Sequence, residues 1–383
     1  MKYVDEYRDP AAAKALLATI EAQAAQLARP IAIMEICGGH THTIYRHGLE
    51  HLLPESIELI HGPGCPVCVI PMGRVDDAMW LARQPNVILT TFGDMMRVPG
   101  SKGESLLDVR AGGADVRFVY SPLDALLIAK ENPDKEVVFF AVGFETTAPS
   151  TAVTLERARI ENVTNFSVFS NHVTIEPPLR AIVNGGETRV DAFIGPGHVA
   201  TVVGTDAFAF LPSEFNLPVV VTGFEPLDIL QAIAMILEQF VSGDVEAGRA
   251  SVGNQYARVV RPAGNTAALA LMGKTFALRE TFEWRGLGWI EGSGFGISPA
   301  YSAWDAEAKF TVPGERVADP AACECGSVLT GKLKPWQCRV FGTACTPDNP
   351  IGTCMVSPEG ACAAYYNFGR IDRAMAQSVV IQD

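Results

Sequence analysis

The 383-residue chain contains no apolar run near the roughly 18 residues that a membrane helix needs. It is short of basic charge, with 30 Lys and Arg against 43 Asp and Glu, a net of −13. Nucleic acids and anionic membranes both demand a basic face, so neither is expected as a partner. The glycine-rich turns carry no G-x-x-x-x-G-K-S/T and no G-x-G-x-x-G. The usual phosphate cradles are therefore missing, and a standard nucleotide fold is disfavoured. The first residues, Met1-Lys2-Tyr3-Val4-Asp5-Glu6, are polar and acidic, without the apolar stretch of a secretory signal. The expected compartment is the cytoplasm, where thiols stay reduced. Cysteine numbers only nine, an odd count that suits metal or redox use better than a disulfide framework. Histidine is scarcer still, at seven.

Those scarce residues are bunched. Three cysteines and five histidines (His40, His42, His47, His51, His61) lie between residues 37 and 68. Cys37-Gly38-Gly39-His40-Thr41-His42 follows the apolar run Ile31–Ile36. His61-Gly62-Pro63-Gly64-Cys65-Pro66-Val67-Cys68 follows Ile57–Ile60. Cys and His share metal coordination and, for Cys, thiol chemistry. Gly and Pro shape tight loops that let backbone approach a ligand.

With 48% apolar and 19% charged residues the chain is globular, and its length suggests two or three domains. Asp9-Pro10 reads as a helix cap opening an Ala/Leu helix that Pro30 stops, over residues 9–29. From residue 31 an apolar strand, a Gly-rich loop and a helix recur. The strands are Ile31–Ile36, Ile57–Ile60, Val87–Thr91, Val116–Tyr120, Val137–Val142, Phe166–Phe169, Ala192–Ile194 and Val219–Thr222. Short, nearly all-apolar strands alternating with helices mean parallel sheets covered on both faces, an α/β fold. The expected division is one α/β unit over residues 30–120 and a second over 121–245, facing each other across a cleft. Residues 246–383, with the N-terminal helix, form a smaller Cys-rich iron–sulfur domain in this scheme.

Ligands of open parallel sheets sit beyond the carboxyl ends of the strands. The loops at those ends hold Cys37, Cys65, Cys68, Glu145, His172 and His198, which are expected to converge on one cleft, with Thr146 a further candidate site residue beside Glu145. Gly143-Phe144-Glu145-Thr146-Thr147 sets a carboxylate and two hydroxyls at a helix N-terminus, suited to a polar ligand or to simple capping. His172 and His198 are equally open to structural hydrogen bonds. Cys65-Pro66-Val67-Cys68 has the separation of a reversible dithiol; its alternative is half of a metal knuckle, which lacks a second C-x-x-C. Cys37, with two glycines and two histidines behind it, reads as a thiolate ligand or nucleophile. His40 and His42 are placed to orient a ligand or move protons.

Six cysteines crowd into residues 323–362: Cys323, Cys325, Cys338, Cys345, Cys354 and Cys362. Zinc ribbons pair two C-x-x-C knuckles, which this block lacks, and disulfides conflict with the expected compartment. A cubane cluster needs four thiolates and tolerates irregular spacing, so an iron–sulfur cluster is the favoured reading.

In combination the Cys37–His42, Gly62–Cys68 and Gly143–Thr147 motifs and the C-terminal cysteine block resemble the HypD family of hydrogenase maturation. The resemblance runs from about residue 30 to 366. It implies a scaffold for the Fe(CN)2CO group of nickel–iron hydrogenases, working with the small protein HypC and receiving cyanide from HypE. By motif position it implies that Cys37 holds the iron, with HypC adding a thiolate, and that Cys65 and Cys68 handle electrons. It also implies a 4Fe-4S cluster. Family gaps of 14, 6 and 16 residues select Cys323, Cys338, Cys345 and Cys362, and a first gap of 12 selects Cys325 in place of Cys323. On the first choice Cys325 and Cys354 remain as a second thiol pair. Two other classes fit the same residues: a cluster-driven thiol–disulfide reductase, for which Cys37 is dispensable, and an iron–sulfur hydro-lyase, which needs no protein partner.

Overall fold

The computed structural model describes residues 5–186 and 189–369. Its strands, in chain order, are β1 Ile31–Glu35, β2 Ile57–His61, β3 Val87–Thr91, β4 Asp115–Phe118, β5 Glu136–Gly143 and β6 Phe166–Val173. They continue as β7 Ala192–Pro196, β8 Val219–Thr222, β9 Val252–Asn254, β10 Phe276–Leu278, β11 Thr281–Trp284, β12 Gly288–Glu291 and β13 Gly294–Ile297. One sheet has the order β2-β1-β7-β8-β9 and is parallel throughout. The other has the order β10-β13-β6-β5-β3-β4; its four central and edge strands β6, β5, β3 and β4 are parallel, and β13 and β10 join antiparallel. β11 and β12 form a separate hairpin.

The α/β class and the parallel pairing agree with the sequence pattern. Every residue of β1, β3, β6, β7 and β8 is buried, which is why these strands read as mainly apolar runs; the polar residues they carry, such as Glu35, Ser167, Ser170 and His172, are buried with them. Fully burying one Val, Ile or Phe side chain contributes about 1.5–3 kcal/mol, so strands of this kind belong inside a sheet.

The contiguous units 30–120 and 121–245 do not correspond to the sheets. β1 and β2 pair with β7 and β8, while β3 and β4 pair with β5 and β6, so each sheet takes strands from both sides of residue 120. Apolar strands buried on both faces are interchangeable by composition, and nothing in the local pattern names a strand's neighbour. Residues beyond 245 are likewise shared, β9 going to the first sheet and β10 and β13 to the second. The N-terminal helix, Pro10–Ala24, is capped by Asp9, whose Oδ1 accepts from the Ala11 amide at 2.7 Å. It buries Ile20 and Ala24 against the helix Pro226–Val241 of the first sheet, not against the Cys-rich tail.

The tail packs into the main body. Cys325, Cys345, Cys354 and Cys362 share one apolar core with Ile36, Cys65, Cys68, Phe140 and Phe144. The helix Ala361–Phe368 lies on the helix Gly38–Arg46. No helix among the described residues is long and apolar enough to cross a membrane.

Candidate functional site

β1 runs out at Glu35, and Cys37 turns the chain into the helix Gly38–Arg46 as its N-cap, with φ −152° and ψ 125°. The backbone amides of Gly39 and His40 at this helix start act to lower the thiol pKa, without a capping hydrogen bond to the sulfur. Burial nevertheless pushes the thiol well above its ordinary value, and the Glu359 carboxylate adds to this. Glu359 sits against the corner: a Cβ on Gly38 would stand 2.6 Å from the Glu359 Cβ. Such proximity makes glycine necessary at that position.

His40 is fully buried; its Nε2 lies 2.9 Å from the Gly223 carbonyl and its ring stacks on Phe224 at 4.8 Å. Desolvation lowers its pKa. His198, exposed at the start of the helix Gly197–Val203, stacks on the same Phe224 at 3.8 Å. Phe224 thus joins the Cys37, Gly195–His198 and Gly223–Pro226 segments. His42 turns toward the tail, with Nδ1 at 3.3 Å from the Pro358 carbonyl and its ring edge-on to Phe368.

The Cys65 loop lies on the Cys37 corner. A Cβ on Gly64 would stand 2.2 Å from the Cys37 nitrogen, so the two loops touch backbone to backbone. Cys65 opens the short helix Pro66–Val69, and both its thiol and that of Cys68 are buried. This helix packs against β5, at whose end the Glu145 loop begins.

The tail meets the pair from the other side. The Thr353 hydroxyl donates to the Cys68 carbonyl at 2.7 Å. The Cys68 thiol hydrogen-bonds with Cys354 and Cys65, and burial drives its pKa up. Cys354 is the hub: hydrogen bonds from Cys325, Cys362 and Cys68 hold it far below the ordinary thiol value. Cys362 is raised in turn by Cys325 and Cys354, and Cys323 by Cys325. The Cys345 sulfur accepts from the Ile351 amide at 3.4 Å. A Cβ on Gly352 would meet the sulfurs of Cys323 and Cys325 at 2.4 and 2.5 Å. Cys338 is half-buried and hydrogen-bonds with Glu324. No three His, Cys, Asp or Glu side chains converge on one ion-sized point among the described residues. The donor set, soft thiols spread around Gly352, fits a metal cluster.

Elsewhere the expected residues separate. His172 lies within β6 and not in a loop after it; its Nε2 is 3.0 Å from the Thr151 hydroxyl and its Nδ1 3.5 Å from that of Thr147. Burial lowers it to about 4, so the ring is neutral and held between two threonines. No hydrogen bond joins it to a thiol among the described residues. Glu145 is buried; its Oε1 accepts from the Ile175 amide at 2.9 Å, its Oε2 has no partner, and desolvation raises it to about 7. Thr146 is exposed beside it.

The motif reading passed over Glu35, Gly352 and Glu359, and counted His61 without a role. Glu35 had a signal: it is the one carboxylate inside the apolar run Ile31–Ile36. Glu359 and Gly352 had none, because only the fold brings them to the Cys37 and Cys323 loops.

The chain is matched over residues 11–369 by the HypD family model, described as the hydrogenase formation hypA family. It is 52% identical over 383 residues to the hydrogenase maturation factor HypD of Rhizobium leguminosarum bv. viciae, covering 98% of each chain. It is 50% identical over 372 residues to HypD of Escherichia coli K12, covering 96% of this chain and 98% of that one. HypD of Azotobacter vinelandii is 51% identical over 380 residues, at 98% and 99% coverage. With thiols gathered against two mainly parallel sheets and this similarity along nearly its whole length, the chain belongs to the HypD family of hydrogenase maturation factors.

Proposed function

We propose that this protein is the scaffold on which the Fe(CN)2CO group of a nickel–iron hydrogenase is built. The iron is held by the Cys37 thiolate together with a thiolate from a HypC-like partner, and cyanide arrives on a HypE-like carrier. The observation that carries this reading is the run of neighbouring thiols from Cys65 through Cys68 and Cys354 to Cys325, with the Cys65 loop resting on Cys37. A soft donor suits low-spin iron bearing cyanide and carbonyl.

In this scheme Cys323, Cys338, Cys345 and Cys362 hold a 4Fe-4S cluster, which supplies electrons one at a time when bound. Cys325 touches both Cys354 and Cys362, so it fits a second thiol pair with Cys354 and equally fits the first cluster position in place of Cys323. Transfer of one cyanide from a thiocyanate carrier breaks a sulfur–carbon bond and takes up two electrons. Cys65 and Cys68 supply both by forming a disulfide, releasing two protons. One proton goes to the carrier thiolate, the cyanide binds iron, and one proton leaves to solvent.

Infrared spectroscopy of the complex purified anaerobically with its small partner tests this. The wild-type complex is expected to show cyanide and carbonyl stretches, and Cys37→Ser to lose them with the fold retained. Bands of full intensity in Cys37→Ser would place the iron on other ligands and overturn the assignment.

A further inference from the structure

Alternation along β1 puts Ile31, Ile33 and Glu35 on one face. The two isoleucines pack into the core beneath the helices, and the carboxylate beside them is fully buried. A buried charge is tolerated only when its lone pairs are met. Three donors meet this one. The Cys37 amide donates to Oε2 at 3.0 Å, His61 Nδ1 donates to Oε1 at 2.8 Å, and the Thr41 hydroxyl also donates to Oε1. A carboxylate only accepts, so the His61 proton is on Nδ1; Nε2 has no hydrogen-bond partner. Tyr45, one turn beyond Thr41, lays its ring over His61 at 4.6 Å. The Glu35 backbone carbonyl accepts from the Gly62 amide at 2.8 Å, at the root of the Cys65 loop. One residue therefore grips the Cys37 loop through its side chain and the Cys65 loop through its main chain.

We propose that Glu35 is a positioning residue for the iron group at Cys37 and that its charge tunes the electron density of that iron. The inference rests on Cys37 being the iron thiolate. The carboxylate is bonded to the amide of the ligating residue and is shut away from water, where a unit charge is weakly screened. Negative charge near a metal carbonyl strengthens back-donation into carbon monoxide and weakens the carbon–oxygen bond. Neutralising the charge does the reverse.

The test is the carbonyl stretch of the full chain in complex with its small partner, with circular dichroism as the check on folding. Glu35→Gln keeps an acceptor for the Cys37 amide and drops the charge, so the band is expected to move to higher wavenumber. Thr41→Val removes one donor from the carboxylate and leaves its charge less compensated, so the band is expected to move to lower wavenumber. General loosening of the loop has no reason to split the two signs. Bands unmoved in both variants, or moved in the same direction, overturn the proposal. If Glu35→Gln fails to fold, Thr41→Val decides alone: a shift to lower wavenumber supports the role and no shift overturns it. A wild-type complex without bands removes the reading of Cys37 and the role of Glu35 with it. Wild-type bands without the sign split remove only Glu35.

Discussion

Replacing Gly64 by Ala probes the contact between the two thiol loops. The new Cβ would stand 2.2 Å from the Cys37 nitrogen, 2.3 Å from the Ile36 carbonyl carbon and 2.4 Å from the Cys37 Cα. All three are main-chain atoms, so no side chain can swing aside. Carbon contacts settle near ~3.5–4 Å, so the loops must part by roughly 1 Å or more. Overpacking of this kind costs about 1–3 kcal/mol. Unfolding entropy of about 2.1 cal/mol/K per residue amounts to roughly 0.8 kcal/mol/K for 383 residues. The melting temperature is therefore expected to fall by about 1–4 °C. Folded domains have about 5–15 kcal/mol in hand, so Gly64→Ala still folds. Its functional loss is expected to exceed its stability loss, because Cys65 is pushed away from Cys37 and cyanide bands weaken. Gly273→Ala is the control: it lies in the helix Thr266–Thr275 and its Cβ meets nothing within 4 Å. That change is expected to stabilise by about 0.5–1 kcal/mol. Anaerobic thermal unfolding followed by circular dichroism reads both. A Gly64→Ala protein that melts at or above wild type would refute the close contact of the loops.

Two further outcomes follow from single positions. Burial raises Glu145 from 4.5 to about 7, so in that interval the folded protein keeps a proton that the unfolded chain has released. Its contribution is present in full below the lower value and is lost as pH rises through the upper one, a fall of about 3 kcal/mol by pH ~8. Denaturant titrations should find Glu145→Gln more stable than wild type at high pH and free of this slope; a parallel decline in both would clear the carboxyl of the effect. Gly352→Ala drives a methyl group into the sulfurs of Cys323 and Cys325. Iron and acid-labile sulfide should drop in the anaerobically purified protein while Gly273→Ala retains them, and a full complement in Gly352→Ala would separate these thiols from the cluster.

Strand positions were legible because burial on both faces writes each strand as an apolar run. Val87–Thr91 and Val219–Thr222 were read to the residue. Capping chemistry was legible too: Asp9 caps the helix Pro10–Ala24, as the Asp9-Pro10 pair predicts. The neighbour of each strand was not, since β1 offers the same apolar faces to β2 and to β7. β10 and β13 escaped notice because strands of three and four residues leave no period to follow, and Gly294 and Gly296 interrupt the second. Within the site, the thiols declared themselves by their rarity. His172 misled because a histidine closing an apolar run looks like a loop residue, whereas Thr147 and Thr151 satisfy it inside the strand. Glu35 was marked by its place as a carboxylate in an apolar run, but its partners were not legible, since only the fold brings His61 and Thr41 over it.

The interleaving of the two sheets has a consequence for biosynthesis. β1 pairs with β7 from Ile33 to Ala192, and the Ala32 amide is held by Asp191, 159 residues later. At about 5–20 residues per second, the ribosome adds that stretch in roughly 8–30 s. Through that interval the nascent chain has β1 and β2 with one side of β1 unpaired, and Cys37, Cys65 and Cys68 uncovered at their ends. The tail cysteines that close over Cys68 emerge later still. Oxidants and stray metal ions therefore have access to these thiols before the fold shields them.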